Sequence, residues 1–171
     1  MKLGNIFKSA AVLGVLILGL AASANAATNP ATTTINVSAT VSAYCSVTAD
    51  NIIFGTYTGA EIDSQSNIHV TCSSTSPYTV ALDAGTTTNA TVLTRQLRAG
   101  GTGPGVLAYG LFRDSARSLN WGVTTGGTTP DVASGNGTGS DQDIPVYSKL
   151  LAGTIPAPGS YSDVVTVSVA Y

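Results

Sequence analysis

Few side chains in this sequence could carry out chemistry. The 171 residues include one histidine, His69, and two cysteines, Cys45 and Cys72. A catalytic histidine needs a nucleophile and an orienting carboxylate, and no Gly-x-Ser-x-Gly motif supplies the nucleophile. His69 lies between Ile68 and Val70 in an alternating segment, so we interpret it as a histidine on the surface of a strand. We therefore expect no catalytic residue and no enzymatic activity.

Metal and cofactor sites have equally little support in the sequence. Two sulfurs make only half of a tetrahedral zinc site, and His69 is the only imidazole. Asp141 and Asp143 could begin a calcium site, but two carboxylates supply too few oxygen ligands. The glycine-rich segment 100–105 lacks the Lys-Ser/Thr ending of a phosphate-binding loop. The sequence thus predicts neither a metal site nor a cofactor.

The composition excludes several classes of protein. The chain is 43% hydrophobic and 9% charged, with a formal net charge of −2. Disordered chains combine low hydrophobicity with high charge, and nucleic-acid binders usually carry a basic excess. We therefore expect an ordered protein without a nucleic-acid partner. Many β-branched residues, separated by Gly-, Ser- and Thr-rich stretches, favour an all-β domain.

Residues 1–26 have the pattern of a secretory signal peptide. Lys2 and Lys8 form a positive n-region, residues 10–22 are an apolar stretch, and Ala24-Asn25-Ala26 places small residues at the cleavage site. The apolar stretch is shorter than the roughly 20 residues that span a bilayer. An uncleaved anchor or a buried helix is the alternative. We predict cleavage after Ala26, export, and no transmembrane segment in the mature chain.

Export affects how the two cysteines are interpreted. In an oxidising compartment, Cys45 and Cys72 most simply form one intramolecular disulfide. In the chain-entropy model such a bond stabilises the domain by roughly 3–4 kcal/mol.

Alternation of apolar and polar residues predicts strands near both ends of the mature chain. In the segment 32–43 the even positions are all polar and the odd positions mostly apolar. The apolar face carries Ile35, Val37, Ala39 and Val41. In the segment 161–171 the corresponding face carries Val165, Val167, Val169 and Tyr171. Because both ends show this pattern, we expect both to have a pairing partner.

Short strands are also predicted between these two segments. They cover residues 51–54, 67–72, 78–83, 92–97, 107–113 and 144–148, and residues 122–140 are predicted to form a long surface loop or flexible hairpin. No window after residue 26 shows a sustained helical stripe. Short strands at this spacing favour a β-sandwich or barrel.

The order of several short motifs resembles the spore coat protein U domain, which is shared with the pilin subunits of archaic chaperone–usher pili in bacteria. The matching segments are residues 41–47, 53–57, 68–72, 78–85, 107–114, 121–122 and 159–163. Together they cover about residues 32–171, and the two cysteines fall at the matching places.

The resemblance implies an incomplete immunoglobulin-like β-sandwich that is completed by a donated strand. Subunits of this family lack their final strand. A periplasmic chaperone lends one, and the N-terminal extension of a neighbouring subunit later replaces it. Applied to this chain, the resemblance implies an extension over residues 27–42 and a pilin domain over residues 43–171. The implied partners are a chaperone, an outer-membrane usher and neighbouring copies or sister pilins.

The resemblance also implies which residues take part. Ile35, Val37, Ala39 and Val41 are the expected donor strand. Val165, Val167, Val169 and Tyr171 are expected in the acceptor groove and the chaperone-facing C-terminal strand. The alternative is that residues 32–41 pair within their own domain.

The function implied is that of a structural subunit of an extracellular pilus or surface coat. Such a subunit passes through the periplasm and serves adhesion or biofilm formation at the cell surface. The alternative is a secreted, stand-alone β-sandwich module that binds a carbohydrate or another surface.

Overall fold

The computed structural model describes residues 30–124 and 131–171. The predicted signal peptide and its cleavage site lie outside these residues. The chain divides after Ala39, so the described residues of the N-terminal part are 30–39 and the body begins at Thr40.

Strands alone make up the regular structure of the described residues. They are β1 (Cys45–Ala49), β2 (Ile62–Cys72), β3 (Pro77–Leu82), β4 (Arg95–Ala99), β5 (Val106–Phe112), β6 (Ala133–Asn136), β7 (Asp141–Leu150), β8 (Tyr161–Ser162) and β9 (Val167–Ala170). A six-stranded sheet has the order β1-β2-β7-β5-β4-β8, and a three-stranded sheet has the order β6-β3-β9. All pairings are antiparallel. The predicted all-β, sandwich-like class is confirmed.

Alternation along the strands builds the core between the sheets. In β2, Ile68 and Val70 are buried, whereas His69 between them lies on the outer face. In β3 the same alternation buries Tyr78, Val80 and Leu82 in the core. Trp121 is fully buried, and its indole nitrogen donates to the carbonyl of Val80 at 2.9 Å. The largest aromatic side chain therefore ties the core to the three-stranded sheet.

The disulfide expected from the sequence is present. Cys45 and Cys72 are bonded, and they lie directly opposite each other in the register of β1 and β2. The bond therefore fixes the start of β1 to the end of β2.

Arg95 is a buried cation held by backbone carbonyls. Its side chain is fully buried at the start of β4. The guanidinium donates to the carbonyls of Asp83, Val92, Leu82 and Trp121 at 2.8–2.9 Å. Burial lowers the pKa of Arg95 from its ordinary value, but an arginine remains charged in proteins. One side chain thus joins the ends of β3 and β4 to the segment that carries Trp121.

Two of the predicted strands are not strands of the structure. Residues 32–43 and residues 51–54 belong to no strand among the described residues. Residues 32–43 alternate between polar and mostly apolar positions and residues 51–54 are a short apolar run, but neither pattern shows which neighbour would pair with the segment. A strand also needs a neighbour that accepts its backbone hydrogen bonds.

The predictions for residues 122–140 and for the C-terminus are partly wrong. Residues 133–136 form β6 on β3, although Ala-Ser-Gly-Asn has little strand propensity. Gly135 is needed there, because a Cβ at this position would lie 2.6 Å from the ring of Tyr78. The single predicted C-terminal strand is interrupted, since residues 163–166 separate β8 from β9.

Among the described residues, no helix is long and apolar enough to cross a membrane.

Replacing Arg95 with lysine should destabilise the domain strongly. Lysine keeps the charge but offers three donors from a single atom, so it cannot satisfy four carbonyls arranged around a planar fork. A buried polar group left without a partner costs about 1–3 kcal/mol, so we expect a loss of about 3 kcal/mol or more in the free energy of unfolding, measured by denaturant titration. The matched control is Arg98→Lys, because the described residues offer the Arg98 guanidinium one hydrogen-bond acceptor, the Gly103 carbonyl at 3.2 Å. A loss below about 1 kcal/mol for Arg95→Lys would contradict this role.

Candidate functional site

An apolar groove opens into the body of the chain. Its volume is about 1140 Å³, and residues of both sheets line it. Its apolar lining includes Ile52, Phe54, Ile68, Leu82, Leu97, Leu107, Tyr109, Leu111, Val146, Leu150, Tyr161, Val165 and Val167. Several of these, such as Leu82 and Leu111, are among the most deeply buried residues of the fold. The groove therefore reaches the hydrophobic core itself.

The first rim of the groove is the segment 50–57, which follows β1. The backbone N–H of Asp50 donates to the carbonyl of Asn67. Within the part of the chain that the structure describes, residues 51–57 make no hydrogen bond between backbone groups. Side chains hold this rim instead. The Ser64 hydroxyl donates to the Ile53 carbonyl at 3.0 Å, and the Tyr57 hydroxyl donates to the Leu151 carbonyl at 3.0 Å. Side-chain hydrogen bonds therefore fix the position of this rim, although it is not part of a sheet.

The second rim, residues 155–167, runs from before β8 into β9 and is fixed by carboxylates. One carboxylate oxygen of Asp163 accepts a hydrogen bond from the Tyr109 hydroxyl at 2.7 Å, and the other accepts hydrogen bonds from the backbone N–H and the hydroxyl of Thr86 at 2.9 Å. Burial and the bond to Asp163 raise the pKa of Tyr109 far above its ordinary value, so this hydroxyl stays a donor. The network anchors the rim to β5 from the floor of the groove.

Gly85 allows this carboxylate to approach the backbone. Its φ is +82°, and the Asp163 carboxylate occupies the space that a Cβ would fill. Any other residue here would be strained and would displace Asp163.

Asp83 holds the same rim from the end of β3. Its carboxylate accepts the backbone donors of Gly85 and Thr166 at 2.9 Å, and its own N–H donates to the Thr166 carbonyl at 3.1 Å. Partial burial raises the pKa of Asp83, but the bonds from Thr166 and Gly85 and the charge of Arg95 outweigh that effect. The pKa therefore lies below its ordinary value, and Asp83 is ionised at neutral pH.

Two of the four residues predicted for the acceptor groove line it, and the other two lie elsewhere. Val165 and Val167 line the groove. Val169 packs against the core within β9. Tyr171 is 60% exposed and lies beside Pro77 and Tyr78, outside the groove.

The four residues predicted for the donor strand are all exposed. Ile35 is 84% exposed, Val37 91% and Val41 89%, and Ala39 is also exposed. Large apolar side chains at this exposure, spaced two apart, are unusual unless a partner covers them. Within the described residues, the segment takes part in no strand pairing.

Sequence analysis did not identify the groups that hold the rims. Asp83, Asp163, Tyr109 and Arg95 are far apart in the chain, and no local pattern joins them. The only local signal was that three of these residues, Asp83, Tyr109 and Asp163, lie within motifs that carried the resemblance, namely segments 78–85, 107–114 and 159–163.

A second polar arrangement lies on the outer face of β2 and β7. Nδ1 of His69 lies 2.7 Å from Asp143 and 3.5 Å from Asp141, and Nε2 lies 3.3 Å from Asp50. The hydrogen bonds to Asp143 and Asp50 raise the pKa of His69 above its ordinary value. The prediction of a histidine on a strand surface is correct, but the sequence did not indicate that three carboxylates surround it.

Comparisons with known proteins agree with the observed fold. Among solved structures, a chain in the crystal structure of the CsuC–CsuE chaperone–tip adhesion subunit pre-assembly complex, from archaic chaperone–usher Csu pili of Acinetobacter baumannii, is 28% identical to this protein with a TM-score of 0.56. The similarity covers 77% of this chain and 40% of that chain, so this protein corresponds to less than half of its neighbour. No curated protein matches the chain.

The family comparison covers nearly all of the described residues. The Spore Coat Protein U domain matches residues 31–168, a range that contains both rims, the disulfide and the exposed N-terminal alternation. The chain therefore belongs to the spore coat protein U domain family.

Proposed function

We propose that this protein is a structural, non-enzymatic subunit of a bacterial surface fibre, assembled by donor-strand exchange through a chaperone and an usher. The observation that carries the proposal is the apolar groove between two rims that lack a common strand. An open core beside free backbone groups invites aggregation, so such a surface needs a cover. A strand laid between the rims would cover the apolar floor and bond to their backbone groups.

The chain itself carries a segment with the chemistry of such a cover. We call residues 35–41 the donor segment. It has seven residues, its alternate positions Ile35, Val37, Ala39 and Val41 are apolar, and its polar positions would face solvent. In strand addition, main-chain hydrogen bonds supply affinity and alternate side chains enter pockets. The donor segment of one copy therefore suits the groove of the next.

The resemblance to the Acinetobacter baumannii subunit supports a chaperone as the first occupant of the groove. That subunit was solved as a chaperone–subunit pre-assembly complex. By analogy, a periplasmic chaperone fills the groove of this protein, an outer-membrane usher exchanges it, and a neighbouring copy or sister subunit takes its place. The assembled fibre then lies at the cell surface and serves adhesion or biofilm formation.

Removing residues 27–41, with residues 1–26 and Cys45 kept, should leave a subunit that can accept a strand but cannot donate one. We expect the truncated subunit to fold when a chaperone, or a peptide of residues 30–43, fills its groove. It should then stop fibre growth, because it accepts a strand but gives none. Fibre length by electron microscopy, in mixtures with the full chain, measures this effect.

Two outcomes of the truncation would contradict the proposal. Fibres of normal length from the truncated protein alone would show that residues 27–41 are not the donor. A truncated protein that stays folded and monomeric with no strand supplied would instead indicate a stand-alone module.

Substitutions in the donor peptide should show which face enters the groove. Burial of one valine stabilises a complex by about 1.5–3 kcal/mol, and a buried unpaired charge costs more. We therefore expect Val37→Asp in a peptide of residues 30–43 to weaken its binding to the truncated subunit by about a hundredfold or more, at 1.4 kcal/mol per factor of ten. Fluorescence anisotropy of labelled peptides measures the affinity.

Ser38→Asp in the same peptide is the matched control. It adds the same charge one position along, on the polar face, and should change the affinity by less than about threefold. Equal losses for the two peptides would refute the proposed face.

A further inference from the structure

The outer face of β2 and β7 carries His69, Asp141 and Asp143, none of which lines the groove. His69 and Asp143 are directly opposite each other in the register of these strands, and Asp141 lies two residues before Asp143 on the same face. The sheet therefore positions His69, Asp141 and Asp143, whereas Asp50 comes from the segment that directly follows β1. The imidazole is partly shielded, with 29% of its side chain exposed, whereas the three carboxylates are about 60% exposed and open to solvent.

Nδ1 of His69 and the two carboxylates have the spacing of metal ligands. The distance from Nδ1 is 2.7 Å to Asp143 and 3.5 Å to Asp141. Two ligands bound to one tetrahedral zinc ion at 2.0–2.1 Å lie about 3.3–3.4 Å apart. The distance from Nδ1 to Asp141 is close to this value, whereas Asp143 lies at hydrogen-bond distance and would move away from Nδ1 by about 0.6 Å to admit the ion. The ligand-forming atoms of all three residues already lie within 4.8 Å of one another.

The other ring nitrogen of His69 supplies an independent observation. Nε2 faces the carboxylate of Asp50 at 3.3 Å. Histidines that bind a metal through one nitrogen usually donate the other N–H to a carboxylate or carbonyl, which fixes the tautomer and the ring orientation. Asp50 stands where this outer partner belongs. The Thr71 hydroxyl likewise lies 3.4 Å from Asp141, directly opposite it in register.

We propose that Nδ1 of His69, with Asp141 and Asp143, binds a divalent transition-metal ion of the zinc type, with Asp50 as the outer partner of the imidazole. An imidazole ligand favours such ions over calcium and magnesium, which prefer oxygen alone. Three protein ligands leave the remaining positions to water. The three ligands lie on the outer sheet face and do not line the groove, whereas Asp50 belongs to the first rim.

Titration of the untagged protein with ZnCl₂ and with CaCl₂, followed by calorimetry, tests this site. A tag must be avoided because His69 is the only histidine of the chain. We expect zinc to bind at one site and calcium not to compete with it. His69→Asn and Asp143→Asn should each weaken zinc binding by about tenfold or more, and Asp50→Asn should also weaken it.

Glu61→Gln is the matched control, because Glu61 is another carboxylate of the surface and pairs with Lys149 at 2.6 Å. It should change the zinc affinity by less than about twofold. Equal affinity in His69→Asn, or equal binding of calcium and zinc, would overturn the proposal.

Nitrogen NMR of the wild-type imidazole gives a readout that needs no variant. We expect zinc to shift the Nδ1 resonance strongly, whereas Nε2 keeps its proton. A titration that leaves Nδ1 unchanged, or that moves Nε2 instead, would contradict the assigned ligand.

Discussion

A sandwich of two sheets must cover its apolar core on every side, and the strands of this chain leave one side open. Leu82 and Leu111 are buried in the core and yet line a groove of about 1140 Å³. The rest of the architecture follows from this open side. The rims lack a ladder between them, the donor segment is exposed, and the free energy of covering the groove is available to whatever strand binds there.

Hydrogen bonds from polar side chains hold the rims in place, where a completed sheet would use backbone hydrogen bonds between strands. Asp163 joins the second rim to Tyr109, Asp83 joins it to the end of β3, and Arg95 joins that end to β4. These bonds fix the positions of the second rim and of the end of β3. If a strand binds in the groove as proposed, preorganisation of this kind lowers the ordering cost of binding. Buried and half-buried polar groups of this fold therefore shape the surface that the proposed function assigns to a donated strand.

The sequence predicted those features that depend on local pattern. The disulfide and the strands around residues 68–72 and 78–82 follow from cysteine count and alternation. Residues 51–54 were predicted as a strand, but no local pattern reveals that this segment pairs with no strand among the described residues. β6 was missed because its four small residues are held by Tyr78 and β3 and not by propensity. His69 and Asp143 are 74 positions apart, and only the register of β2 and β7 brings them together.

The disulfide has a mechanical consequence for a chain that is pulled from its N-terminus. A load applied to residues 30–39 enters the body through residues 40–44 and first meets the hydrogen bond that the Ser73 N–H donates to the Tyr44 carbonyl. The next residue, Cys45, is bonded to Cys72 opposite it at the end of β2, so the disulfide carries the force directly to Cys72. Residues 46–71 lie outside this covalent path, and the hydrogen bonds between β1 and β2 are shielded from a load at this end.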